Sequence, residues 1–150
     1  MNIRKLAAGF IAMASVLVGG VVVAPPASAA TVVRVLSSNS NINFNNPLAT
    51  CSAPAGFTCT ISKSYAATRT INVAFGVSRS FVSAQLGISS ATTRSVTVSC
   101  SKVMPPNRSR LVAYPAGRQI FYTITSNGQT SGTLMAFEPE PASVACFLYA

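Results

Sequence analysis

The sequence predicts an all-β fold, an antiparallel β-sandwich or elongated sheet of about six or seven strands with a long amphipathic hairpin and two disulfides. Three observations carry this prediction. From Phe57 to Cys100 apolar side chains recur at every second residue, which is the period of a strand. Clusters of Gly, Pro and Asn punctuate the chain as turns require. Four cysteines in 150 residues are an even count, the pattern of a small exported domain held by two disulfides.

The N-terminal stretch is set aside before any folding argument. Arg4 and Lys5 precede an uncharged apolar run from Leu6 to Ala24, then Pro25-Pro26 and Ala27-Ser28-Ala29. A basic start, an apolar middle and an A-x-A site read as a secretory signal peptide over 1–29, cut before Ala30 or Thr31. The apolar run is long enough to serve as a membrane anchor, but the two prolines break such a helix. The remainder keeps nine basic and two acidic side chains, so the expected protein is basic, bacterial in style and secreted to the extracellular space. It divides into an extended Asn/Ser-rich arm over 30–50 and one disulfide-stabilised β domain over 51–150.

Within the arm, Thr31 to Leu36 is rich in β-branched residues and predicts a strand, while Ser37 to Pro47 is too polar to bury and reads as a loop. From Phe57 to Val77 the odd positions are apolar and the even ones mostly hydroxyl-bearing, with Lys63 and Arg69 interrupting the apolar parity. From Val82 to Cys100 the parity reverses. Facing residues of an antiparallel pair share a side of the sheet, so folding about Ser78-Arg79-Ser80-Phe81 sets Val77 against Val82, Ile61 against Val98 and Cys59 against Cys100. That register predicts a Cys59–Cys100 disulfide and leaves Cys51 for Cys146. It also sets Tyr65 against Arg94, a cation-π pair, and Arg69 against Ser90. A short helix over 80–90 is the competing reading, which Gly87 and the serines disfavour.

Beyond Pro105-Pro106-Asn107, strands are expected at Ser109 to Tyr114 and Arg118 to Thr125, around a type I turn at Tyr114-Pro115-Ala116-Gly117. Asn127-Gly128 is a strong hairpin signal because both central residues of a type I′ turn need positive φ. It should join Gln119 to Thr125 with Thr130 to Phe137. Glu138-Pro139-Glu140-Pro141 is expected to end that strand, and Ala142 to Tyr149 to form the last one.

Composition excludes much chemistry. The chain has no Asp, no His and no Trp, and Glu138 and Glu140 are its only acidic side chains. Paired carboxylates of a glycosidase must flank the scissile bond, whereas these two point the same way from an extended segment and read as a solvated, proline-stiffened linker that can pair with nearby arginines. No serine has a histidine to take its proton. In the pairs Ser62 with Lys63 and Ser101 with Lys102, neighbours on a strand face opposite ways. The seven, forty and forty-five residues between successive cysteines match no zinc knuckle. The expectation is a protein that is no enzyme and takes no cofactor or metal.

The basic residues are the better signal. Lys102, Arg108, Arg110 and Arg118 lie close in sequence around a Pro-rich loop, with Tyr114 and Tyr122 near. Such a patch attracts a secreted or cell-surface protein with an acidic surface, or an anionic envelope polymer. Export and the lack of a recognised motif argue against nucleic acid. Lys63, Arg69 and Arg94 interrupt the apolar face, so the hairpin is expected to have buried ends and a wet waist that a partner or a bulge accommodates.

In size, signal and two-disulfide economy the chain is similar to the small secreted β-proteins of actinomycetes, among them protease and amylase inhibitors and chromoprotein carriers. That likeness implies a binding role, and Met104 to Arg110 (MPPNRSR) then offers Arg108 or Arg110 to a trypsin-like pocket. In outline, the Ser/Thr alternation from Phe57 and the Pro105-Pro106 segment also resemble pore-forming toxins of the aerolysin and epsilon-toxin type. That resemblance implies a hydroxyl face lining a pore, with Lys63, Arg69 and Arg94 on the lipid face at roughly 2 to 4 kcal/mol each near the midplane. The expectation is therefore a secreted, non-catalytic binding protein acting by protein-protein contact, as an inhibitor or an adaptor subunit of an exported assembly. A membrane-active, pore-forming toxin-like protein is the alternative. The arm over 30–50 is a candidate strand for an acceptor sheet.

Overall fold

The computed structural model describes residues 30–150, so the signal-peptide reading lies outside the described residues. It contains strands β1 (Val32–Ile42), β2 (Ala49–Ser52), β3 (Thr58–Thr68), β4 (Thr70–Ile71), β5 (Thr93–Val103), β6 (Arg110–Ser126), β7 (Gln129–Thr130) and β8 (Leu134–Tyr149), and one helix, α1 (Arg79–Leu86). The predicted all-β class, with antiparallel pairing and two disulfides, is what the chain adopts. A main sheet in the order β1-β6-β8-β4 carries β2 and β7 on β6, and β3 and β5 form a separate two-stranded sheet.

The inner face of the main sheet is covered in two halves. Over one half lies the β3–β5 hairpin, whose Cys59, Ile61, Val98 and Cys100 pack with Met104, Leu111 and Ala113. Over the other half α1 brings Val82 and Leu86 onto Ile71, Ile120, Tyr122, Ile124 and Ala136. The inward positions of β6 change from odd (Leu111, Ala113) to even (Ile120, Tyr122, Ile124), and the change falls where the register with β8 shifts between Pro115 and Gly117. A bulge that inserts residues re-aims the side chains, so both halves keep one face toward the core.

The alternation of β3 and β5 is as expected, but their register is offset by two residues. Ile61 faces Cys100 and Cys59 faces Lys102. An offset of two preserves the face of every side chain, so the apolar pattern is blind to it. The disulfides are Cys51–Cys59 and Cys100–Cys146, not the expected Cys59–Cys100 and Cys51–Cys146. Cys59 and Cys100 belong to the core-facing side of the hairpin, and the cysteines within reach there are those of β2 and β8 beneath it. Tyr65 accordingly faces Val96, and Arg94 faces Ala67.

The expected hairpin loop at Ser78 to Phe81 is instead the start of α1. The Ser78 side chain accepts from the Phe81 amide, and Gly87, at φ 66°, closes the helix with its N–H on Ala84 and Ser83 carbonyls. Gly87, set against a helix over 80–90, is the cap that ends it, and Ser78, just before that stretch, is the cap that starts it. Ser37 to Ile42 is likewise a strand, paired with Phe121 to Ala116. It occupies an edge, where polar side chains remain hydrated while the backbone pairs.

Two expected interruptions are also absent. β6 runs through Tyr114 to Gly117 and β8 through Glu138 to Pro141. Pro115 and Pro139 flank the site where the register shifts, and there a missing donor removes no regular ladder bond. The Asn127-Gly128 turn is as predicted, with φ of 51° and 76° and with Thr125 facing Thr130. It returns the chain so that Gln119 faces Phe137.

Candidate interaction face

Between the two core halves the charged interrupters of the hairpin meet. Arg69, only 4% exposed, lies 3.5 Å from Glu138, Arg94 lies 3.4 Å from the same carboxylate oxygen, and Arg118 lies 3.5 Å from the other. Arg69 also donates to the Ala91 and Thr93 carbonyls at 2.9 and 3.2 Å. Arg79 donates to the Arg69 and Ser90 carbonyls, each at 2.9 Å. Glu138 is thus an internal counter-ion and not a solvated linker, although its pairing with arginines matches expectation. The waist of the hairpin is closed at Arg69 and Arg94 from within, while Lys63, facing Val98, stays exposed.

This arrangement divides the predicted basic patch. Arg118 is committed to Glu138. Tyr122 is fully buried and its hydroxyl donates to the Asn72 carbonyl. Lys102 is exposed on β5, opposite Cys59. Arg110 and Tyr114 share the hairpin-covered end of the main sheet, where Arg110 faces Tyr149 and Tyr114 faces Ala145, and the Arg108 side chain reaches the neighbouring Leu148 carbonyl.

On the outer face of that end stands an aromatic cluster that sequence reasoning missed. Phe44, carried by the loop after β1, has its ring centroid 5.1 Å from Tyr114 and 5.4 Å from Phe147. Tyr114 is 6.1 Å from Phe147 and 6.4 Å from Tyr149 in edge-on geometries. The Arg110 guanidinium sits over the Tyr149 ring at 5.8 Å, a cation-π distance. Phe44 and Phe147 remain 52% and 37% exposed. Hydrogen bonding with Tyr149, then burial, raises the Tyr114 phenol above its ordinary value, and the Arg110 charge opposes the shift. Phe44 was hidden in an Asn-rich segment read as a loop. Phe147 and Tyr149 are an i, i+2 aromatic pair that was visible in the last strand but had no assigned face.

The loop offered to a protease is a tight turn. The Arg108 amide donates to the Pro105 carbonyl at 3.2 Å, and Asn107 takes φ 71°. The Arg108 guanidinium turns back onto the Leu148 carbonyl at 3.2 Å, and Arg110 is already in the ladder of β6. Neither arginine is displayed on an extended loop. No protein-family model and no curated protein matches this chain. Among the described residues, no helix is long and apolar enough to cross a membrane.

Proposed function

We propose that this is an exported, non-catalytic binding protein whose contact surface is the outer face of the main sheet around Phe44, Tyr114, Phe147, Tyr149 and Arg110. The observation that carries the reading is the cluster itself: four aromatic rings packed on one another in the open, crowned by an arginine, outside both core clusters. Tyr, Phe and Arg are the residues enriched in protein interfaces, and rigid aromatic anchors lose little entropy on binding. Arg108 and Arg110 with no Asp or Glu side chain beside them select an acidic partner. The two disulfides suit the oxidising compartment that export implies. The tight turn at Pro105 to Arg108 favours an adaptor over a substrate-like inhibitor.

The test is recovery of partners from culture supernatant by tagged protein spanning 30–150, beside the Phe147→Ala and Arg110→Ala variants. A partner retained by the parent, lost by both variants and released by raised salt supports the reading. Equal retention by all three overturns it. One observation favours the toxin-like alternative. The outward residues of the β3–β5 hairpin, from Thr58 to Thr68 and from Thr93 to Val103, are exposed and, apart from Ala66 and Val103, all carry hydroxyls, with Thr60 bonded to Ser101 at 2.9 Å and Ser64 to Thr97 at 3.2 Å.

A further inference from the structure

Next to the aromatic cluster, and sharing only Phe44 with it, the outer face carries a second feature. The loop after β1 leans over β8 and β4 and leaves an open groove of about 350 Å³. Carboxamides of Asn41, Asn45, Asn46 and Gln119 line it, with Phe44 at one side and Phe137 among its walls. No Lys, Arg or Glu lines it, although the chain carries a net charge of +9.

We propose that this amide-lined groove is a binding site for a neutral pyranose sugar. A carboxamide offers both a donor and an acceptor, which suits a ligand whose every hydroxyl is also both. Such a lining offers a charged ligand no counter-charge in the groove, and a purely apolar one leaves the amides unpaired. The Phe44 ring, 52% exposed, supplies the apolar surface that the C–H face of a sugar ring covers, while Phe137 is buried beneath it as floor. The volume lies at the small end of the range for ligand pockets, so one or two sugar rings fill it.

The loop has an internal framework that leaves part of this lining unspent. Asn41 donates through Nδ2 to Gln119 Oε1 and accepts the Ile42 amide at 2.8 Å through Oδ1, while Asn43 Oδ1 accepts the Asn45 amide at 3.2 Å. The Asn41 bonds fix the end of β1 against β6, the Asn43 amide ties the loop to the Pro115 carbonyl of β6 at 2.9 Å, and the Asn43 side chain fixes the turn. Gln119 Nε2 and the carboxamides of Asn45 and Asn46 make no side-chain hydrogen bond among the described residues. They are donors and acceptors held at the edge of a groove by a framework that does not consume them.

The experiment is a titration of oxidised protein, watched by amide chemical shifts, with N,N′-diacetylchitobiose, cellobiose and maltose, and with uridine and glucuronate as contrasts. At least one of the three disaccharides is expected to saturate with a Kd of about 1 mM, moving the signals of Phe44, Asn45, Asn46 and Gln119. Asn46→Ala and Gln119→Ala should each weaken it about fivefold, the loss of one hydrogen bond. Asn46 is exposed on the loop, so that variant keeps the fold even if the strand variant does not. No saturation by any disaccharide up to about 10 mM, tighter binding of uridine or glucuronate, or affinities indifferent to both variants overturns the proposal. The site is separate from Arg110, so Arg110→Ala should leave sugar binding unchanged. Failure here therefore leaves the protein-contact reading standing, and the reverse also holds.

Discussion

Glu138 meets three guanidiniums, and how deeply each is buried decides what its loss costs. Arg69 is 4% exposed and Arg118 is 44% exposed. Removing the carboxylate leaves a desolvated Arg69 charge without its counter-ion, so Glu138→Gln should lower unfolding free energy by about 3 kcal/mol. Arg118→Ala should cost less than about 1 kcal/mol, since water screens that partner. Urea midpoints of the two variants check the contrast, and equal losses sink the assignment of Arg69 as the dominant partner. Tyr122 gives a pH test. Burial raises its phenol above the ordinary 10.0, against a smaller lowering by Arg79, so the folded state holds the proton after the unfolded chain has lost it. The contribution is complete below the unfolded value and is lost as pH rises through the folded one. Tyr122→Phe should cost about 1 kcal/mol at neutral pH through the missing bond to Asn72. It should also flatten, though not abolish, the alkaline fall in stability, because Tyr114 shifts in the same direction.

Strands β6 and β8 stay paired across a bulge, and at Gly117, just past the register shift, the β8 backbone leaves no room for a side chain. A Cβ there collides with the Glu138 carbonyl oxygen and comes within 2.8 Å of the Pro139 Cα. Both are backbone atoms with no freedom to swing away, so Gly117→Ala should destabilise by about 3 kcal/mol or more. A variant within about 0.5 kcal/mol of the parent in thermal unfolding contradicts this packing. This bulge also explains which elements the sequence revealed. Period-two alternation assigned the faces of β3 and β5, and Asn127-Gly128 placed one turn, because both signals are local. The hairpin register, the cysteine partners and the continuity of β6 and β8 past Pro115 and Pro139 are set by strands distant in sequence. Prolines that stop a regular ladder are harmless at a bulge. The same division governs the candidate face: Arg108, Arg110 and Tyr114 are near neighbours in the chain and were legible. Phe44, Phe147 and Tyr149 join them only through the register of β6 with β8 and the fold-over of the loop after β1.

At the scale of the molecule, two covalent staples hold the β3–β5 hairpin to the main sheet, one per strand. Cys59 of β3 is tied to β2 across a separation of 8 residues, and Cys100 of β5 to β8 across 46. Loop-closure entropy predicts about 2.5 kcal/mol for the shorter link and about 4 kcal/mol for the longer. The Cys100→Ser/Cys146→Ser pair should therefore unfold at lower urea than the Cys51→Ser/Cys59→Ser pair. The same staples separate the two functional readings. To line a pore, the hairpin must lift its apolar side off β2 and β8, which neither strand can do while both bonds are intact, and Arg69 and Arg94 must leave Glu138. Oxidised protein added to dye-loaded anionic vesicles should consequently release no dye. Release by the oxidised form contradicts the binding-module reading outright. Release that begins only with dithiothreitol assigns the membrane role to the hydroxyl-faced hairpin, because reduction frees both strands while leaving the aromatic face unchanged.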